Sequence, residues 1–113
     1  MEHCVFCMIA RGEVESKKVM ETEDIIAFHD LNPQAPIHIL IVPKKHIAKL
    51  DEAEESDIHL LGKLLFAVKA IAQKYYLNEG YRVVINAGTA GGQAIPHLHL
   101  HLLAGRHMSW PPG

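Results

Sequence analysis

Hydrophobic positions along the chain predict short strands combined with two helices. Between residues 56 and 76 apolar side chains recur every third or fourth position with charged residues between them, which predicts one long amphipathic helix. A shorter helix is predicted over residues 4–11, where Gly12 follows as a stop signal. The apolar positions of the long helix are Leu60, Leu61, Leu64, Leu65, Val68, Ile71, Ala72 and Tyr75.

Runs rich in β-branched residues predict five strands, at residues 19–22, 25–29, 37–42, 81–87 and 97–103. Two prolines stiffen the loop DLNPQAP between the second and third of them. The order is helix, three strands, helix, two strands. This order predicts an α+β fold whose sheet has about five strands and is mainly antiparallel, with one long and one short helix.

The composition is that of an ordinary globular protein. The 113 residues suffice for a single domain, residues 1–113, with 49% hydrophobic and 21% charged residues. A net charge of −2 without a block of Lys and Arg argues against a nucleic-acid partner, and no apolar run approaches the ~20 residues that span a membrane. Because the start MEHCVFC also lacks the layout of a signal peptide, we expect a cytoplasmic protein.

Nine histidines are the most unusual feature of the composition, and three of them alternate in the segment HLHLHL. Side chains alternate between the faces of a strand, so His97, His99 and His101 are predicted to share one face at ~7 Å intervals. A neutral imidazole is a nucleophile that titrates near neutral pH, which suits phosphoryl or nucleotidyl transfer with His99 as the nucleophile. Two alternatives stay open at this point: a row of solvated histidines, and zinc ligation from the strand.

Three further groups of residues carry weaker signals. Gly92 and Gln93 precede the histidines in a glycine-rich turn, where main-chain N–H groups can approach a phosphate. Asp30 opens the proline-containing loop and offers a carboxylate of the kind that binds ribose hydroxyls. Cys4 and Cys7, three positions apart in a chain without a recognisable secretion signal, indicate metal or redox chemistry rather than a disulfide.

Several segments together resemble a known family. The stretches GGQAIPHLHLHLLAGRHMSWPPG, FHDLNPQAPIHILIVPKKHI and VVINAG are similar to the histidine-triad (HIT) superfamily, and in particular to its Hint branch of purine nucleoside phosphoramidases. The resemblance covers nearly the whole chain. It implies a HIT-like fold, a homodimer and a purine nucleotide of the AMP type as the ligand.

The resemblance also implies a role for each matching residue. His99 matches the nucleophile that attacks the α-phosphorus, and His101 matches the residue beside the leaving group. His97 and His38 match the pair behind the nucleophile, and Trp110 matches a C-terminal residue that reaches the site of the other subunit. The implied nucleotide-binding residues are Asp30, Leu31, Asn86, Gly92, Gln93, Ala94, His99, Leu100, His101 and Trp110.

The reaction implied by the resemblance is hydrolysis of adenosine 5′-phosphoramidate or an aminoacyl adenylate to AMP, through a nucleotidyl-histidine. Two other functions stay open. One is a nucleotide-binding regulatory or interaction module with little turnover, and the other is a diadenosine polyphosphate hydrolase or nucleotidyl transferase of the same superfamily. A histidine at position 101, where the transferases carry glutamine, and the ending WPPG favour the phosphoramidase.

The chain departs from the Hint pattern at three places. Ala94 replaces a serine that contacts the phosphate, and Pro96 stands where a tyrosine is common, so we expect a changed rate rather than a changed reaction class. Animal Hint proteins lack the two cysteines, whereas many microbial HIT proteins carry such a pair and bind zinc. The implied ligands of one structural zinc ion per subunit, which the chemistry does not need, are Cys4, Cys7, His46 and His97.

Overall fold

The computed structural model describes residues 3–113 and contains one five-stranded antiparallel sheet. Its helices and strands are α1 (Val5–Ala10), β1 (Lys18–Glu21), β2 (Ile25–His29), β3 (Ile37–Pro43), α2 (Ile58–Lys74), β4 (Arg82–Val84) and β5 (Leu100–Ala104). Two short 3-10 turns, Leu50–Glu52 and Glu55–Asp57, precede α2. The strand order is β1-β2-β3-β5-β4 with every neighbouring pair antiparallel, so the predicted α+β fold is confirmed.

The long helix α2 has a defined start and end. Ahead of it, the N–H of Glu54 donates to the Asp57 carboxylate at 2.9 Å, which is one half of a capping box. Residues 55–57, at the predicted start of the helix, form a 3-10 turn instead. At its end Tyr76 adopts a φ of 56°, and the N–H of Leu77 donates back to the Ala72 carbonyl at 3.0 Å. Within the described residues, no helix combines the length and the apolar composition needed to cross a membrane.

The two faces of the sheet bury separate clusters of side chains. Along β3, Ile39 and Ile41 join the cluster beneath α2, whereas Leu40 and Val42 join the cluster beneath α1. This alternation follows from the two-residue period of a strand, and it explains why β3 reads as a continuous apolar run. The cluster beneath α1 consists of Phe6, Ile9, Ile26, Phe28, Leu40 and Val42.

The last two strands are shorter than predicted. β4 does not fill residues 81–87, and β5 begins at Leu100, where its pairing with β3 starts opposite Ile41. Before that point the chain is bound elsewhere, since the N–H of Leu98 donates to the Ile47 carbonyl at 2.6 Å. The prediction that one strand carries all three histidines is therefore wrong: only His101 lies in β5.

Candidate active site and metal-binding cluster

His99 and His101 lie side by side on the face of the sheet that packs against α1. Their ring centroids are 4.9 Å apart. Phe6 of α1 packs against His99 in an edge-on arrangement with the centroids 5.1 Å apart, and it also contacts Phe28 of β2. The short helix thus forms one apolar wall around the histidines, which keeps His99 at 6% exposure.

The ring of His99 is oriented by the main chain. Its Nδ1 lies 2.7 Å from the carbonyl oxygen of His97. A carbonyl can only accept, so Nδ1 carries the proton, and Nε2 of the neutral ring keeps its lone pair. The structure therefore presents the Nε2 atom of His99 as a nucleophilic nitrogen.

His38 contacts His101 rather than His99. Its Nε2 lies 2.9 Å from Nδ1 of His101 and 3.5 Å from Oδ2 of Asp30, and its Nδ1 accepts the main-chain N–H of Gln34 at 3.0 Å. Burial, together with His99 and His38, lowers the pKa of His101 to about 4, and burial lowers the pKa of His38 against the opposing effect of Asp30. Burial therefore favours the neutral form of both rings.

Asp30, His38 and His101 also lie close enough to be considered as metal ligands, because one ligand atom of each falls within 4.8 Å of the others. The protonation of His38 argues against that use. Since the N–H of Gln34 points at Nδ1, the ring proton lies on Nε2, the atom that would have to bind the ion. This group fits a hydrogen-bonded chain and does not fit a metal centre.

A second cluster joins the N-terminal helix to the histidine segment. The atoms Cys4 Sγ, Cys7 Sγ, His46 Nδ1 and His97 Nδ1 all lie within 4.8 Å of one another. The first turn of α1 brings the two sulfur atoms together, since Cys4 is the N-cap residue and its Sγ accepts the N–H of Cys7 at 3.4 Å. The four residues that the resemblance implied as zinc ligands are thus brought into one place.

The chemistry of this donor set fits a tetrahedral metal site. Nε2 of His97 donates to the Pro43 carbonyl at 2.8 Å, which leaves Nδ1 as the ligand atom, 3.2 Å from Cys4 Sγ and 3.1 Å from His46 Nδ1. Burial raises the pKa of the Cys7 thiol, and Cys4 raises it further. A divalent cation would reverse this effect by binding the thiolates. Two thiolates and two imidazoles are a common structural set for zinc.

The glycine-rich turn before the histidines requires its glycines for different reasons. A Cβ atom on Gly91 would lie 2.5 Å from the Ala87 carbonyl oxygen, so no side chain fits there. Gly92 has a φ of 82°, which favours glycine over other residues. The side-chain amide of Asn86 donates to the Gly91 carbonyl at 2.7 Å and closes the turn.

Gln93 supports this turn from within. Its Oε1 accepts the N–H of Gly88 at 2.9 Å, and its Nε2 donates to the carbonyls of Ala48 and Ile95 at 2.7 and 2.9 Å. Both side-chain N–H groups are therefore used by the protein itself. Gln93 is one of the implied nucleotide-binding residues, and a bond from its side-chain amide to a phosphate would require one of these contacts to be given up. The neighbouring Ala94 is exposed.

A cavity of about 220 Å³ lies between α1 and the loop after β2, and its wall includes Phe6, which also contacts His99. Its walls include Phe6, Phe28, Leu31 and Ile95, and Asp30 supplies a carboxylate at the rim. A larger cavity of about 760 Å³ lies between α2 and the β1–β2 hairpin, away from the histidines, and we assign no chemistry to it. Leu31 and Trp110 expose 88% and 82% of their surfaces.

Sequence reasoning missed some residues that shape the site. Phe6 had no predicted role, yet its side chain is buried, whereas the neighbouring Val5 is 38% exposed. The Gln34 N–H and the Pro43 carbonyl are main-chain groups, so their contacts with His38 and His97 cannot be predicted from residue type. The one sequence feature that could have indicated Phe6 is its position between Cys4 and Cys7, on the same helical turn.

Three features define the class of protein to which this chain belongs: a five-stranded antiparallel sheet, the neighbouring imidazole rings of His99 and His101, and a cluster of two cysteines and two histidines. Residues 11–108 match the family model described as HIT domain. The chain is a member of the HIT family, and the resemblance found in the sequence is confirmed.

Relatives and solved structures agree with this assignment. The 14 kDa zinc-binding protein of Zea mays is 50% identical over 111 residues, covering 96% of this chain and 87% of the relative. The protein named adenylylsulfatase HINT1 of Arabidopsis thaliana is 44% identical, covering 96% of this chain and 76% of the relative. The crystal structure of a HIT family hydrolase from Legionella pneumophila Philadelphia 1 superimposes with a TM-score of 0.96 at 50% identity, over 98% of this chain and all (100%) of the other.

Proposed function

We propose that this protein hydrolyses AMP conjugates by transferring AMP to His99 and then to water. The observation that carries the proposal is the 2.7 Å hydrogen bond from Nδ1 of His99 to the His97 carbonyl, which leaves the lone pair on Nε2. Because His99 is buried beside Phe6, competing hydration of that nitrogen is limited.

The proposed reaction has two steps. Nε2 of His99 forms a bond to the α-phosphorus while the bond from phosphorus to the leaving nitrogen or oxygen breaks. The leaving group takes a proton from solvent, and the Nε2–H of His101 donates a hydrogen bond to it. Water then attacks the nucleotidyl-histidine, one proton of that water is released to solvent, and AMP leaves. His101 suits the donor role because its ring adjoins that of His99, at 4.9 Å between centroids.

The cavity between α1 and the loop after β2 supports an AMP-type ligand. Its apolar walls, including Phe28 and Ile95, match the faces of a purine, and Asp30 offers an acceptor for ribose hydroxyls. The turn at Gly91 and Gly92 is the candidate phosphate contact, since it directly precedes the histidine segment in the chain and carries no side chains at these two positions. The N–H groups of Gly91 and Gly92 donate to the carbonyls of Gly88 and Thr89, so a phosphate would share or replace these bonds.

Within this class we propose adenosine 5′-phosphoramidate and aminoacyl adenylates as substrates, because a protonated amine or a carboxylate leaves readily. A second candidate is adenylyl sulfate, which is favoured by the name of the Arabidopsis relative, adenylylsulfatase. All three substrates share AMP and differ only in the group that departs.

We also propose that Cys4, Cys7, His46 and His97 bind one structural zinc ion. The names of the Zea mays and Brassica juncea relatives, both called 14 kDa zinc-binding protein, support this reading of the cluster. When bound, zinc would cross-link α1 to the segment before β5. A homodimer in which the exposed Trp110 approaches the partner subunit's site is proposed on the resemblance alone.

The experiment that tests the hydrolase is a substrate comparison on the wild type and on two variants, His99→Ala and His99→Asn. We expect turnover of adenosine 5′-phosphoramidate by the wild type, loss of about a thousandfold or more in both variants, and AMP affinity within a few-fold of the wild type. The exposed His107 provides the control variant His107→Ala, which should keep full activity.

Mass spectrometry of the wild type during turnover should detect an AMP adduct on His99. Near-normal turnover in either His99 variant would show that another residue is the nucleophile. AMP binding without adduct or turnover on any of adenosine 5′-phosphoramidate, lysyl adenylate, adenylyl sulfate or diadenosine triphosphate would favour the nucleotide-binding module instead.

A further inference from the structure

The main-chain N–H of Gln34 determines where the proton of His38 lies. It donates to Nδ1 of His38 at 3.0 Å. A neutral imidazole has one N–H, so a ring that accepts at Nδ1 carries its proton on Nε2. Protonation of Nδ1 would set two N–H groups against each other, and the contact therefore also opposes the charged form of His38.

The proton on His38 in turn orients His101. Nε2 of His38 is 2.9 Å from Nδ1 of His101 and 3.5 Å from the Asp30 carboxylate, so His101 is the nearer acceptor. Since His101 accepts at Nδ1, its own proton lies on Nε2, on the other side of the ring. His38 is only 4% exposed, so water competes little for this bond.

Two residues directly after β5 hold the loop that supplies the Gln34 N–H. Nε of Arg106 donates to the Gln34 carbonyl at 3.0 Å. Gly105, at a φ of 94°, allows the chain to approach Pro36 so closely that an added Cβ would lie 2.8 Å from the proline ring. The side chain of Gln34 itself donates to the Asn32 carbonyl at 3.1 Å. The loop is therefore fixed to the end of the strand that carries His101.

We propose that Gln34, through its main-chain N–H, and Arg106, through Gln34, are positioning residues that keep the proton of His101 on Nε2. The inference deepens the proposed function and rests on it, because His101 donates a hydrogen bond to the leaving group there. With the proton on Nδ1 instead, His101 would direct a lone pair at the leaving group and could not donate a hydrogen bond to it.

The tautomers can be read directly on the free protein. Long-range correlation of ring protons with both ring nitrogens in the 15N-labelled wild type distinguishes a protonated nitrogen from an unprotonated one, and His38→Asn and His101→Asn variants identify the signals. At neutral pH we expect both His38 and His101 to carry the proton on Nε2. A proton on Nδ1 of either ring would overturn the proposal.

A pair of substitutions at position 34 isolates the main-chain group. Gln34→Pro removes the N–H, whereas Gln34→Ala removes only the exposed side chain and keeps the N–H. We expect Gln34→Pro to give a mixture of tautomers at His38 and His101 and to lower kcat by about tenfold with little change in KM. Gln34→Ala loses only the side-chain bond to Asn32 and should keep the wild-type tautomers, with a loss in kcat of about twofold or less. Wild-type tautomers and kcat in a folded Gln34→Pro protein would contradict the role of the N–H.

Substitutions at Arg106 test the hydrogen bond from Arg106 to the Gln34 carbonyl. They do not require a proline variant to fold. Arg106→Ala should lower kcat about twofold to tenfold and raise the minor tautomer of His38, and Arg106→Lys, which keeps a donor, should recover most of the loss. Lys63→Ala is the control, since Lys63 is exposed and pairs with Asp24 away from the histidines. Equal kcat and tautomers in Arg106→Ala and Lys63→Ala would remove Arg106 from the proposal.

The outcomes also separate this inference from the proposed function. Wild-type protein with both protons on Nε2 but without turnover of any AMP conjugate would contradict the hydrolase and leave the tautomer assignment standing. Wild-type turnover combined with a proton on Nδ1 of His101 would support the hydrolase and overturn this inference.

Discussion

The side chain and the carbonyl of His97 serve two different sites. Its Nδ1 faces the sulfur of Cys4 at 3.2 Å, while its carbonyl oxygen accepts the hydrogen bond of His99 at 2.7 Å. The cysteine cluster and the nucleophilic ring thus share one residue. Anything that displaces the His97 ring also displaces the group that orients His99.

Loss of the proposed zinc ion is therefore expected to lower both stability and turnover. Protein purified without a metal-binding tag should contain about one equivalent of zinc per chain, and Cys7→Ser should lower this content strongly. We expect Cys7→Ser to lower the melting temperature by several degrees or more and to reduce kcat, because the His97 carbonyl loses its fixed position. Elemental analysis, thermal unfolding and steady-state kinetics measure the three effects. Less than about a tenth of an equivalent of zinc in the wild type would contradict the metal assignment.

The depressed pKa of His101 predicts a pH-dependent stability. The pKa is lowered from 6.5 to about 4 in the folded chain, so between these values the unfolded chain binds a proton that the folded chain does not. Stability is then greatest above pH 6.5 and falls as the pH drops toward 4. In His101→Gln this part of the slope should be missing, and the difference between the two proteins should total about 1–2 kcal/mol after allowance for solvent screening. Urea unfolding at several pH values tests this, and parallel slopes in both proteins would contradict it.

Gly91 is predicted to be irreplaceable in the glycine-rich turn. In Gly91→Ala the new Cβ would collide with the Ala87 carbonyl oxygen, 2.5 Å away, so the turn must shift. We expect a loss of stability of about 1–3 kcal/mol and weaker AMP binding, whereas Thr89→Ala, an exposed change in the same turn, should alter neither. Calorimetric titration with AMP and urea unfolding decide the matter. Equal affinity in the two variants would exclude the turn from the nucleotide site.

A substitution at Ala94 is expected to increase activity rather than to reduce it. A serine at this exposed position adds a hydroxyl that can donate to a phosphate oxygen, and a hydrogen bond to a charged group is worth ~1.5–3 kcal/mol. We expect Ala94→Ser to raise kcat/KM for adenosine 5′-phosphoramidate by about tenfold or more. Ala90→Ser places the same hydroxyl at another exposed alanine of the turn and should have no effect. A rise in both variants, or in neither, would mean that position 94 does not contact the phosphate.

Local patterns in the sequence were enough to predict most of the fold. The three-to-four spacing of apolar residues predicted α2, because a helix buries one side, and the β-branched runs predicted β2 and β3, because these strands are buried on both faces. The same reasoning failed for β5. The alternation in HLHLHL reports which side chains are buried, whereas strand pairing depends on a main-chain partner, and the N–H of Leu98 binds Ile47 instead.

The sequence by itself determined which chemical groups the protein has: a pair of cysteines one helical turn apart, and three alternating histidines that follow a glycine-rich turn. Only the tertiary structure decided how these groups are divided. Cys4 and His97 are 93 positions apart, and the Gln34 N–H reaches His38 through the turn of a loop. The proton position on each imidazole follows from such contacts, because the partner of one ring nitrogen determines what the other can do.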